Sequence, residues 1–148
     1  MRFELEWRDR RVSGGGQTPR RFLDYIVDGA SLYERHCDDV ISPLGWLSSD
    51  YDAAAAQRLL GHAAPDLGER TAIYVCPECA DLLCGAISVV IKPDGDEVGW
   101  LDIAYSIFDY SAGEWDHDPA EFESGQELRF PWDEYSQAIL LRLRPASF

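Results

Sequence analysis

Residues 84–92 and 97–108 form two strand-like runs joined by Pro93-Asp94-Gly95-Asp96, and nothing else in the chain restricts its fold as strongly. Both runs are rich in β-branched and aromatic residues, which favour a pleated surface. The linker puts proline and glycine where a tight turn accepts them. A hairpin is expected here, at the centre of a sheet.

The remaining elements attach to that hairpin by pattern. Phe3, Leu5 and Trp7 alternate with Glu4, Glu6 and Arg8, the period of a strand with one buried face. Residues 22–27 are β-forming, and the turn dipeptide Asp28-Gly29 lets Leu32-Tyr33 return as a partner strand. The apolar run 71–75 reads as a buried strand that delivers Cys76. Ser49 stands three residues before Asp52 in a capping-box-like arrangement, so 53–60 are expected to be helical until Gly61, with Tyr51, Ala55 and Leu59 inward. Pro131, Asp133 and Glu134 precede Tyr135, Ile139 and Leu143 at helical spacing, which predicts a closing amphipathic helix; a last strand through Leu141 and Leu143 is the competing reading. Residues 109–127 are acidic, carry Gly113, Pro119 and Gly125, and read as a long surface excursion. Gly14-Gly15-Gly16 reads as a flexible loop, because a phosphate-cradling loop must open a helix and here a strand follows. With no internal repeat and no composition break, the expectation is one α+β domain over residues 1–148. It is a largely antiparallel sheet built from hairpins, with two helices packed on one face.

Charge narrows the partners. Thirteen basic against 27 acidic residues give a net −14, which repels phosphate backbones and anionic lipids and argues against nucleic acid and membrane. Residues 93–134 hold thirteen acids against one base, Arg129, so a basic protein partner could be steered to that part. A merely solvating acidic face is the alternative. No stretch approaches the roughly 20 apolar residues of a membrane helix. The opening residues alternate charge and bulk, unlike a secretory signal, so the expected compartment is the cytoplasm, where thiols stay reduced.

Three of the four cysteines fall within nine residues: Cys76-Pro77-Glu78-Cys79, then Cys84. A Cys-x-x-Cys turn offers two corners of a tetrahedral zinc site without strain. Its Cys-Pro-x-Cys core resembles the zinc knuckles and rubredoxin-like hairpins of small metal domains. Those usually carry glycine directly after the second cysteine, where the backbone turns left-handed; here Ala80 stands there. For the remaining corners the candidates are Cys84, Cys37, His36, His62 and His117, and the set expected for zinc is Cys76, Cys79, Cys84 and Cys37. A redox dithiol, with Cys76 attacking and Cys79 resolving, would want a helix start that the following strand-like residues do not supply. Ordinary apolar thiols in a turn and strand are the third reading.

Tyr74-Val75-Cys76-Pro77-Glu78-Cys79-Ala80-Asp81 through Cys84-Gly85-Ala86, together with Ile41-Ser42-Pro43-Leu44-Gly45-Trp46, resembles an uncharacterised group of small bacterial proteins, many with glycine in place of Ala80. The resemblance implies a shared fold and no reaction.

Other chemistry is thin. Asp116-His117-Asp118 on an extended loop would point in different directions, no Gly-x-Ser-x-Gly elbow occurs, and three scattered histidines give no triad. Core packing accounts for most of Trp46, Trp100, Trp115 and Trp132. The role expected is a small acidic, non-catalytic interaction module, immunity- or inhibitor-like; a zinc-supported domain and a thiol oxidoreductase are the alternatives.

Overall fold

The alternation at the chain's start becomes β1 (Phe3–Asp9), which pairs antiparallel with β2 (Arg21–Val27) over its full length, Phe3 opposite Val27 and Asp9 opposite Arg21. The computed structural model describes residues 1–36, 38–120 and 127–143. Asp28, with φ 52°, and Gly29, with φ 80°, make the expected turn, but the returning strand β3 is Ala30–Ser31. Leu32 and Tyr33 do not continue it, because the chain folds into a 3-10 turn at Tyr33–Arg35 and buries both side chains in the core.

The second sheet is built on the predicted hairpin. Strands β5 (Ala86–Asp94) and β6 (Glu97–Asp109) pair down to Asp94 opposite Glu97, leaving Gly95-Asp96 as the turn. On the outer side of β5 lies β4 (Thr71–Tyr74). The far side of β6 is shared end to end. Its first part takes β8 (Leu128–Pro131), and its last part takes β7 (Glu114–Pro119). Every ladder among the described residues is antiparallel. Among the described residues the expected single sheet is therefore two, of three and five strands, and the expected excursion after residue 109 includes a paired strand. Acidic β7 buries almost none of its own surface and is held by its pairing to the long β6.

Both helices form. Helix α1 (Ser49–Leu59) starts one residue earlier than its sequence signal: Ser48, rather than Ser49, is the cap, its hydroxyl accepting from the Tyr51 amide at 3.0 Å. Asp52 instead accepts from the Gly45 amide at 3.0 Å. Helix α2 (Trp132–Arg142) follows Pro131 directly and turns Tyr135, Ile139 and Leu143 into the core, so the competing last strand does not form. Tyr135 Oη donates to the Leu59 carbonyl at 2.5 Å and ties α2 to the end of α1. Among the described residues no helix is long and apolar enough to cross a membrane.

Between the layers lies an aromatic cluster of Phe3, Tyr25, Trp100, Phe130 and Tyr135, mostly edge to face, with Phe3 and Phe130 centroids 4.9 Å apart. Trp100 is fully buried, as expected of a core tryptophan, and its indole N–H donates to Tyr135 Oη at 3.1 Å. One buried carboxylate couples the sheets. Asp24 on β2 accepts from Tyr74 Oη on β4 at 2.9 Å, from Ser31 Oγ at 2.5 Å, from Arg8 Nε at 3.1 Å and from the Tyr25 amide at 2.9 Å. Burial pushes this carboxyl above its usual range, and the four donors oppose the rise.

Candidate metal centre

Cys76 leaves β4 just after Val75, which exchanges backbone hydrogen bonds with Ile41 and so fixes where the strand ends. The chain then reverses. The Ala80 amide donates to the Cys76 carbonyl at 2.9 Å, and the amides of Glu78 and Cys79 are aimed at the Cys76 sulfur. Ala80 takes φ 59°, the left-handed conformation that glycine adopts freely and that costs an alanine roughly 1 kcal/mol. The departure from glycine noted in the sequence thus leaves the knuckle backbone unchanged.

A 3-10 turn at Leu82–Cys84 brings the third thiol back. Asp81 caps it, accepting from the Leu83 amide at 2.9 Å, and the Cys84 amide donates to the Asp81 carbonyl at 3.1 Å. Gly85 then enters β5 with φ 99°, and a β-carbon there would stand 2.9 Å from Tyr105 Oη, so both backbone angle and space require glycine. The sulfurs of Cys76, Cys79 and Cys84 all lie within 4.8 Å of one another, and Cys79 and Cys84 are 3.6 Å apart. Three cysteines are therefore close enough to hold a metal ion. Cys79 and Cys84 are exposed and Cys76 is half-buried, so the sulfur face is open to solvent.

The thiols do not titrate alike. Burial acts to raise Cys76, but the amides of Glu78 and Cys79 and the neighbouring thiols outweigh it, and its pKa falls below the ordinary value. Cys84, hydrogen-bonded to Cys79, is pushed up to about 11. The cluster thus holds one thiol biased toward thiolate beside one that keeps its proton until a cation displaces it.

Distant arginines brace the knuckle. Arg10, at the end of β1, is almost fully buried and grips Asp39 through two nitrogens at 3.0 and 2.6 Å. Its Nη1 donates to Glu78 at 2.5 Å and to the Thr18 carbonyl at 2.8 Å. Arg20 Nε donates to the Pro77 carbonyl at 2.8 Å while its guanidinium lies 4.6 Å from the centre of the Trp46 ring. Glu78 also accepts from the Thr18 hydroxyl at 2.5 Å and amide at 3.0 Å. Nothing in the local sequence announces the contacts to Pro77 and Glu78, which join residues 57 to 68 apart.

Glu78 carries a testable pH signature. The Thr18 hydroxyl, the Thr18 amide and Arg10, in that order, lower its carboxyl from 4.5 to about 2. A carboxyl whose folded pKa is depressed adds stability above its unfolded value and loses it as pH falls through the folded value. The stability gap between wild type and Glu78→Gln is expected to be full above pH 4.5 and to shrink as pH drops toward 2, as read by urea unfolding along a pH series. A gap unchanged from neutral pH to pH 2 would refute this linkage.

Of the other residues the sequence nominated, Cys37 lies outside the described residues. His36 packs its ring edge-on to Tyr33 and Tyr74, with centroids 5.4 and 4.8 Å away, and burial lowers its pKa to about 4. His62 lies beside Trp132. Asp116, His117 and Asp118 belong to strand β7 rather than to a loop, so the histidine faces opposite to the two carboxylates, which rules the triplet out as a chelate. No protein-family model matches the chain, and neither a curated protein nor a solved structure is found similar to it.

Proposed function

We propose that the protein binds zinc through the thiolates of Cys76, Cys79 and Cys84, and that the ion clasps the connection between β4 and β5 in a non-catalytic binding domain. The observation that carries this reading is the convergence of three sulfurs from a left-handed knuckle and a capped 3-10 turn. Zinc suits the donor set, since soft thiolates favour it over magnesium or calcium. Arg20, bonded to the Pro77 and Glu78 carbonyls, brings a positive charge to the knuckle that partly offsets the negative charge three thiolates and one divalent ion would leave, while Arg10 is balanced by Asp39 and Glu78.

A dithiol oxidoreductase is less well supported. Cys76 ends a strand and enters a turn, so no helix start acts on it, and the third sulfur has no task in a two-thiol exchange.

The test is elemental analysis of protein purified in reductant without added metal, then reconstituted with zinc. About one zinc per chain is expected, falling to below a tenth in Cys79→Ser and in Cys84→Ser, with affinity declining as pH falls because the ligands must lose protons. Cys37→Ser decides whether that residue completes the site. Four titratable thiols in the presence of zinc, with no metal retained, would overturn the proposal.

A basic protein partner is the second reading. Glu114, Asp116 and Asp118 share one face of the edge strand β7. Asp118 borders a cleft of about 570 Å³ whose walls include Tyr105, Ile107, Asp38 and Arg35. Release of such a partner by raised salt is its signature.

A further inference from the structure

A second polar cluster shares no residue with the sulfur site. Arg70 Nε donates to Ser88 Oγ at 2.8 Å, Ser88 Oγ pairs with Ser106 Oγ at 2.8 Å, and Ser106 Oγ pairs with His117 Nδ1 at 2.7 Å. Both serines are fully buried, so this row crosses β5, β6 and β7 inside the sheet.

The direction of the row follows from the donor inventory. A guanidinium has no acceptor and each hydroxyl has a single proton. Ser88 accepts from Arg70; among the described residues its own proton has Ser106 as acceptor, which leaves the Ser106 proton for His117, whereas the reverse direction would bury the Ser88 proton without an acceptor. That arrangement makes Nδ1 the acceptor and leaves the ring proton on Nε2. Burial first, and the charge of Arg70 next, lower the His117 pKa against the opposing pull of Asp116, so at neutral pH the ring acts as an N–H donor rather than a cation.

Strain marks the same place. Ser88 stands opposite Ala104 and Val90 opposite Leu101, so Asp102 and Ile103 together face one residue of β5 in a bulge. Asp102 is left-handed there, with φ 51°, and its carbonyl accepts from Arg70 Nη2. Among the described residues Arg70 Nη1 has no hydrogen-bond partner. Arg70, Asp102, Ile103, Ala104, His117 and Pro119 line a surface pocket of about 230 Å³. Asp116 and Asp118 alternate onto the other face of β7, which leaves Asp102 as the one carboxylate of the lining.

We propose that this pocket binds a small oxyanion, a carboxylate or a phosphate, between Nη1 of Arg70 and the Nε2–H of His117. Ser88 and Ser106 are positioning residues that hold the histidine in its Nε2–H tautomer. Two side chains with hydrogen-bond donors, Arg70 and His117, line the same pocket, and strain at the rim is a recurring mark of ligand sites.

The experiment is nitrogen-detected NMR of the His117 ring during separate titrations with inorganic phosphate and acetate at millimolar concentration. Free protein is expected to show the Nε2–H tautomer, and at least one anion to shift the ring saturably; which anion binds more tightly identifies the source chemistry. Arg70→Gln should weaken binding roughly tenfold or more, the scale of one charge-assisted hydrogen bond. Ser106→Ala should mix the tautomers and weaken binding several-fold. If Arg70→Gln fails to fold, exposed His117→Ala replaces it, with loss of saturable heat in calorimetry expected. An Nδ1–H tautomer, shifts that never saturate for either anion, or affinity unchanged in these variants would overturn the proposal.

Discussion

Replacing Asp24 by alanine is expected to cost about 3–5 kcal/mol, the range measured when one member of a buried hydrogen-bonded charge cluster is removed. The carboxylate is fully buried and answers four donors, from Tyr74, Ser31, Arg8 and the Tyr25 amide. Alanine leaves the Tyr74 hydroxyl buried without an acceptor and detaches β4 from the three-stranded sheet at that point. Tyr74→Phe removes one bond only, so about 1–2 kcal/mol is expected for it. The double variant should cost less than the sum of the two, since each change removes the partner of the other. Urea denaturation of the four proteins at neutral pH measures all of this. Strict additivity, or an alanine variant within 1 kcal/mol of wild type, would show that Asp24 does not join the sheets.

Zinc is expected to raise the stability of the wild-type protein by about 4 kcal/mol when present a thousandfold above its Kd. For a chain of this size that is a rise of about 8–16 °C in Tm. The gain comes from joining the end of β4 to the start of β5 across a connection that the sheet itself leaves unpaired. Cys76→Ser should melt close to metal-free wild type and no longer respond to zinc. Scanning calorimetry in reductant, with zinc and then with chelator, separates the outcomes; identical curves for wild type under both conditions would remove the structural role claimed for the ion.

The elements that could be read from the chain are those whose stability is local. The alternation of β1, the turn of the β5–β6 hairpin and the spacing of Tyr135, Ile139 and Leu143 are each written in neighbouring residues, although in β1 only Phe3 and Leu5 are buried and Trp7, expected on the same inward face, is exposed. Strand β7 is not legible because its residues are nearly all exposed and half of them are acidic; it exists through hydrogen bonds to a strand whose length local pattern does not reveal. Strand β8 is four residues long and owes its place to Leu128 and Phe130 filling the core. At the candidate site the Cys-x-x-Cys half was visible from spacing alone. Placing Cys84 beside it needed the 3-10 turn that Asp81 caps, and the bracing by Arg10 and Arg20 depends on the path of a loop about sixty residues earlier. The row from Arg70 to His117 likewise rests on cross-strand register, which sets Ser88 near Ser106 and Ser106 opposite His117.

Because β7 and β8 lie in tandem along one side of β6, that border of the sheet is divided into two latches of unequal strength. The β8 latch is anchored by Leu128 and Phe130, and releasing it exposes the aromatic interior. The β7 latch has almost no apolar anchor, so the outer half of the border can loosen while the interior stays shut. His117 rides on the looser half, and any molecule that gripped both it and Arg70 would therefore act as a pin across that border.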